Sequence, residues 1–381
     1  MNKFKKRFLI IFMGLSALDG FAQNPSPTPP DERINVLTEE VRLNVSAQYA
    51  DGRVVPTLRA DDLLIVESGD PQTITSIKRV PASVLLLLDM GGEPNFVKNA
   101  VTTRITTKIV VGNLAPTDTF AVMQYNDKIE TLVNWTAREA FDLSGLDNKL
   151  LSGKRSRFSE ALNAAVNPFQ SRPLENRQLV LITDGTESVA DETERQQALQ
   201  NILAANITVH VISYTRLEEQ KAQKATQRIK LNNERTTQRL PDYIIEPLLQ
   251  ILHDTEKNRA RTILRTMNES QRLVIIQFDN AMIKVVRRRR EAWRLSEPKL
   301  QTLADDSGGV FLAPESVESM WKFASEVAGT IGAQYVVTYT PKKSFAGSAD
   351  GQARKIRVSS HLDGVQIRSR QKIVPDSVLP K

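Results

Sequence analysis

Two aspartates stand where a carboxylate can meet a ligand. Asp89 ends the apolar run Leu85-Leu86-Leu87-Leu88 and is followed by Met90-Gly91-Gly92-Glu93. Asp184 ends Leu179-Val180-Leu181-Ile182-Thr183 and is followed by Gly185. Unbroken apolar runs of this length suit strands buried on both faces of a parallel sheet. Open α/β sheets bind ligands outside the carboxyl ends of such strands, where both aspartates fall. Two carboxylates converging there make a binding site whose obvious guest is a cation. Alone, each Asp reads as a cap on the following helix, and Asp184-Gly185 as an ordinary turn; the pair is what points to a shared site.

The elements that must position them follow from the hydrophobic pattern. From Val84 onward strands alternate with helices, which implies a parallel sheet with crossover helices. Phe96 to Leu114 reads as a helix, and Phe120 to Met123 with Ile129 to Trp135 as a strand pair turning at Asn126-Asp127. Ser159 to Val166 opens a helix, Leu179 to Thr183 is the second buried strand, Asp191 to Ala204 is a helix, and Ile207 to Ser213 is a strand. The expected fold is α/β: a Rossmann-like, doubly wound, mainly parallel sheet over residues 82–333. Residues 41–81 read as short strands, with a hairpin turn at Asp51-Gly52, and residues 334–375 are strand-like again. Pairing of these two flanks would make one small β domain from both ends of the chain.

Residues 216–296 break the alternation. They are polar, basic and helix-prone, with Pro241 and Pro247 interrupting and an apolar stretch at Leu273 to Phe278, and they read as a helical insert. Between Arg216 and Lys299 there are 19 Lys and Arg against 11 Asp and Glu, so the formal charge of +7 is concentrated here. Arg287-Arg288-Arg289-Arg290 reads as a solvated helix face, because Asp279, Glu291 and Glu297 lie close by; contact with an anionic surface is the sharper reading. Trp135, Trp293 and Trp321 read as core or contact residues.

The amino terminus has the form of an export signal. Lys3, Lys5, Lys6 and Arg7 precede an apolar run from Phe8 to Leu18, then Gly20-Phe21-Ala22, so residues 1–22 are expected to be removed after Ala22. That run is too short to span a bilayer comfortably, no later segment approaches the required length, and the product is expected in the periplasm or outside the cell. Export also removes most nucleic-acid partners. Residues 23–40, with Asn24-Pro25-Ser26-Pro27-Thr28-Pro29-Pro30, form a stiff linker. The chain has no cysteine, so disulfides and thiolate metal sites are excluded.

Catalysis finds little support. The three histidines, His210, His253 and His361, form no ligand-spaced pair. There is no Gly-x-Ser-x-Gly elbow and no thiol nucleophile. Gly153-Lys154-Arg155-Ser156 looks superficially like a phosphate loop, but Asn148 stands where its earlier glycine is needed.

LLLLDMGGE followed by LVLITDGTES resembles a von Willebrand factor type A domain. The wider chain resembles the von Willebrand factor A-related group found in Acidobacteria, through VRLNVSAQYADGRVVPTLRADDLLIVESGDPQTITSI, LADDSGGVFL and GAQYVVTYTPKK, over roughly residues 40–375. The resemblance implies a metal-ion-dependent adhesion site of the pattern Asp-x-Ser-x-Ser, a Thr on a middle loop, and an Asp before Gly. Asp89 matches the first Asp, Ser156 the Thr and Asp184 the last Asp. Gly91 and Glu93 replace the two serines. Two readings of this altered site stay open. Three carboxylates could hold one divalent cation (Mg, Ca or Mn) with Asp89, Glu93, Ser156 and Asp184 as ligands. Alternatively, they repel one another in a site that no longer binds metal.

The function that follows is an exported, non-enzymatic interaction or adhesion module, contacting a protein partner through the loops at the carboxyl end of the sheet. The alternatives are a metal-independent scaffold using the basic insert, and a carboxylate-dependent hydrolase.

Overall fold

The computed structural model describes residues 39–92, 99–147, 149–187, 191–233, 246–247, 249–250, 254–265, 269–345, 353–374 and 379–380. The signal segment, the linker before Glu39, Glu93 and the side chains of Leu273 to Phe278 lie outside what it describes.

Strand β5 (Ser83–Asp89) is buried at every position, as its apolar run requires. It pairs in parallel with β6 (Thr119–Tyr125) on one side and β8 (Arg177–Thr183) on the other. Beyond β8 lie β9 (Ile207–Ser213) and β10 (Phe311–Leu312), both parallel; beyond β6 lies β7 (Ile129–Ala137), antiparallel. The sheet order is β10-β9-β8-β5-β6-β7. From β5 the chain winds first toward β6 and later toward β8, so winding reverses between β5 and β8. Asp89 ends one of these two strands and Asp184 directly follows the other. The sequence-derived site therefore lies at the topological switch point, where sheets of this class open a crevice.

Helices cover both faces. One core packs α1 (Ala100–Gly112) and α7 (Val317–Gly332) on the sheet through Val110, Val111, Met320, Ala324 and Val327. The other packs α2 (Phe158–Ala164), α3 (Glu192–Ala204) and the carboxyl-terminal part of α6 (Glu269–Ser307) through Leu162, Ala198, Ile202, Leu300 and Leu303. The α1 amino terminus is capped by Asn99, whose side chain accepts from Thr102 N, and that of α3 by Asp191.

The insert contains α4 (Thr215–Asn233), α5 (Asp254–Arg265) and most of α6. Sequence pattern alone separates the end of the insert at residue 296 from a fresh element at Lys299. In the structure α6 runs unbroken for 39 residues with Pro298 inside it, a length of about 58 Å at 1.5 Å per residue. One helix thus carries the end of the insert into the core.

The chain's two flanks pair with each other. β1 (Glu39–Tyr49) lies between β11 (Gln334–Tyr339) and β13 (Val365–Ser369), and β4 (Ile74–Lys78) pairs with β11. A second sheet joins β3 (Asp70–Gln72), β2 (Leu63–Glu67), β12 (Arg354–Ser360) and β14 (Lys372–Ile373). Their shared core includes Leu43, Val45, Ile65, Val337, Tyr339 and Ile356. Buried polar contacts tie this β unit to the α/β sheet: Asn44 Nδ2 donates to Thr208 Oγ1 at 3.1 Å, and Gln178 Nε2 to Gln334 Oε1 at 3.1 Å.

Candidate functional site

Asp89 is fully buried. Its Oδ1 accepts from the Gly91 amide at 3.1 Å and from Ser156 Oγ at 3.4 Å; its Oδ2 accepts from Thr183 Oγ1 at 2.9 Å. Thr183 spends its one proton on Asp89, so the Tyr125 hydroxyl, 2.7 Å away, donates to Thr183. Burial first, and then the charge of Asp89, push the Tyr125 phenol well above its ordinary value, which keeps that proton in place.

Gly91 is a close-approach position. A Cβ there would lie 1.9 Å from the Arg155 carbonyl oxygen and 2.8 Å from Ser156 Cα. The Gly153 amide donates to the Met90 carbonyl at 2.9 Å, closing the middle loop on the end of β5. The space a serine side chain would need is filled by the backbone that delivers Ser156. The missing hydroxyl and the position of Ser156 are therefore two sides of one packing solution.

Asp184 is 1% exposed, and both its carboxylate oxygens are engaged by the chain. Oδ1 accepts from the Thr186 amide at 2.9 Å and from Thr186 Oγ1 at 2.6 Å. Oδ2 accepts from Trp293 Nε1 at 3.1 Å and from Arg289 Nη2 at 3.4 Å. The Asp184 carbonyl accepts from Ser296 Oγ at 2.7 Å. Leu300 lies against Gly185, whose φ of +64° suits glycine and where a Cβ would meet Leu300 Cδ1 at 2.7 Å. Arg289, Trp293, Ser296 and Leu300 are spaced four, three and four residues apart, which is one face of α6. Glu297 on the neighbouring face accepts from Thr215 Oγ1 at 2.6 Å, fixing α6 to the start of α4.

The structure thus gathers Asp89, Ser156 and Asp184 at one end of the sheet; Glu93 lies outside the described residues. The arginine run is divided, not uniformly solvated. Arg287 and Arg288 are exposed, Arg290 pairs with Glu219 at 2.9 Å, and the Arg289 side chain is only 11% exposed, turned onto Asp184. The helical period decides this: position 289 shares its face with the buried Trp293 and Ser296.

The described donors do not fit a hydrated divalent cation. Such an ion needs oxygens with free lone pairs in a near-octahedral set. Here Asp184 already faces a guanidinium and an indole N–H, and the place of one serine ligand is filled by backbone. Among the described residues no group of three or more His, Cys, Asp or Glu is arranged to hold a metal.

Sequence reasoning missed Arg289, Trp293 and Ser296 as partners of Asp184, although their spacing was visible. It also missed Glu187, which accepts from the Ser159 amide at 2.9 Å and from Ser159 Oγ at 2.8 Å, holding the start of α2 beside the site. The hydroxyls of Ser156, Thr183 and Ser159 donate to carboxylates, the first two to Asp89 and the third to Glu187. His210 lies in the buried middle of β9, its Nε2 2.9 Å from Gln178 Oε1. Burial, and secondarily Arg368, push it down to about 3.

A doubly wound sheet with one antiparallel edge strand, and with aspartates at the carboxyl ends of the two strands flanking its switch point, defines an α/β ligand-crevice domain. Residues 85–245 match the family model described as von Willebrand factor type A domain, and the chain carries such a domain. Similar solved structures include von Willebrand factor type A from Catenulispora acidiphila, at 9% identity over 89% of this chain and 75% of that one, with a TM-score of 0.41. An aerotolerance-related membrane protein from Bacteroides fragilis is 14% identical over 65% of this chain and 98% of that one, with a TM-score of 0.36. Manganese-loaded TRAP protein from Plasmodium vivax is 15% identical over 36% of this chain and 60% of that one, with a TM-score of 0.29. No curated protein matches the chain. Among the described residues no helix is long and apolar enough to cross a membrane.

Proposed function

We propose that this protein is an exported, non-enzymatic interaction module that binds a protein partner at the carboxyl end of its sheet, through a contact that requires no divalent cation. The observation that carries the reading is the seating of α6 on Asp184. A buried guanidinium and indole N–H supply from within the chain the positive partner that a cation would otherwise provide. Asp184 and Gly185, where the loop after β8 begins, are held beneath that helix by Arg289, Trp293, Ser296 and Leu300. The outward face of α6, with exposed Arg287, Arg288 and Arg294, is what the protein offers a partner at this end. Export rests on the composition of residues 1–22.

Photo-crosslinking in the producing cell tests this. A photoreactive residue at position 288 or 294 should give a discrete protein adduct whose yield is unchanged by EDTA. No adduct at either position contradicts the placement of the contact; an adduct lost on chelation contradicts its metal independence.

A further inference from the structure

The β unit contains a cleft that its own strands leave open. β12 and β13 are consecutive and joined by a short turn through Gly364, at φ +69°. They do not form a regular hairpin, because each is claimed by a different sheet. β12 pairs with β2 from Ile356 to Ser360 and meets β14 only at Arg354 and Lys355. Among the described residues, β13 pairs only with β1. Where the two strands part lies a cavity of about 1380 Å³, with Asp305, Gly308 and Gly309 also among its lining residues.

The backbone alternation shows what faces this cavity. The Ser68 amide donates to the Lys355 carbonyl, so Lys355 directs its main-chain groups toward β2; the Ile356 amide donates to Gln371 O and faces the other way. Two residues on, Val358 therefore turns its N–H and C=O into the cleft. On β13, Ile367 is opposite Ala47. The Ala47 amide donates to Ala333 O, away from β13, so this is a non-hydrogen-bonded pair and Ile367 also presents its N–H and C=O to the cleft. Two strand edges thus look toward the same opening.

Its side chains alternate as well. Val358 and Ile367 are half-buried, whereas Lys355, Arg357 and Arg368 are exposed. Arg354 and Lys372 at the cleft are neutralised by Glu67 at 2.8 Å and Asp306 at 2.7 Å. Lys355, Arg357 and Arg368 have no carboxylate within ion-pair distance among the described residues.

We propose that this cleft binds an extended acidic segment of a partner protein, added as a strand against the edge of β13. Backbone edges need alternating donors and acceptors at the strand repeat, which a polypeptide supplies. Three cations on the outer side, with apolar side chains beneath, call for a segment that alternates acidic and apolar residues. The cleft lies at the opposite end of the sheet from Asp184, so it is separate from the contact proposed above and can fail without it.

The test uses the full chain and a fluorescein-labelled peptide, Glu-Val-Glu-Val-Glu-Val, followed by anisotropy at low salt. Saturable binding is expected, weakened about tenfold or more by Arg357→Glu with Arg368→Glu, and recovered when the peptide's Glu residues are replaced by Lys. N-methylation of alternate peptide amides should also weaken binding about tenfold, by removing the edge hydrogen bonds. Both arginines are exposed, and the milder Arg357→Gln and Arg368→Gln variants replace the reversals if unfolding midpoints shift. The proposal is overturned by absence of saturable binding, by equal binding of the N-methylated peptide, or by indifference to both arginine substitutions.

Discussion

Replacing Arg289 with Met removes a guanidinium whose side chain is 11% exposed and lies 3.4 Å from Asp184 Oδ2, while keeping most of its apolar bulk. Removing one partner of a buried ion pair costs about 3–5 kcal/mol, because the other charge is left in a poor solvent. Asp184 keeps its bonds from Trp293 and Thr186, and the guanidinium contact is long, so a loss of about 2 kcal/mol is expected. Asp184→Asn removes the charge and weakens the same contacts, at a similar cost of about 2 kcal/mol. Once the carboxylate is gone, Arg289→Met has little left to break. The double variant should therefore be less destabilised than the sum of the singles, by about 1–2 kcal/mol. Urea unfolding followed by tryptophan fluorescence and circular dichroism measures all four corners of this cycle. Additivity within about 0.3 kcal/mol would show that Arg289 does not act as the counter-charge of Asp184.

Three further outcomes follow from the same geometry. Gly91→Ser, which restores the residue type of the adhesion pattern, should destabilise the fold by about 2 kcal/mol or more and confer no metal response, since its Cβ would collide with the Arg155 carbonyl; an unchanged urea midpoint contradicts this. Glu187→Ala leaves the Ser159 amide and hydroxyl without their acceptor and should cost about 1 kcal/mol; Glu187→Gln should recover part of it in the same titration. His210 is pushed down to about 3, against 6.5 in the unfolded chain. Below about pH 6 the unfolded state binds a proton that the fold refuses, so stability present at neutral pH falls as pH drops toward 3, at up to about 1.4 kcal/mol per pH unit. His210→Gln should flatten that slope; an identical pH profile would contradict the account.

The sheet was legible because its signals are local. Leu85 to Leu88 and Leu179 to Ile182 announce buried parallel strands, and an Asp ending one and another just following the other place a site at the carboxyl end of the sheet; that these two strands flank the switch point follows only from the strand order. Pairing of the two flanks was also readable, from short alternating strands at both ends. What escaped was long-range and directional. Nothing local says that Asp184 meets a helix 105 residues downstream, and a block of four arginines reads by composition as surface. Only the spacing of Arg289, Trp293, Ser296 and Leu300 marks a buried stripe, and it emerges when the helix is read through Pro298. Gly91 shows a related limit. As sequence it is a lost ligand, whereas in three dimensions it is the gap through which the Ser156 loop approaches.

We propose that Arg289 and Trp293 close the carboxyl-end site from within the chain and leave it independent of a divalent ion. A ligand that binds only the folded state raises the melting temperature in proportion to the logarithm of its concentration. The most direct test is thermal unfolding of the purified protein in EDTA and in increasing Mg, Ca or Mn to millimolar levels, beside Asp89→Ala. The melting temperature should not move with any of the three metals. A dose-dependent rise that Asp89→Ala abolishes would contradict the proposal.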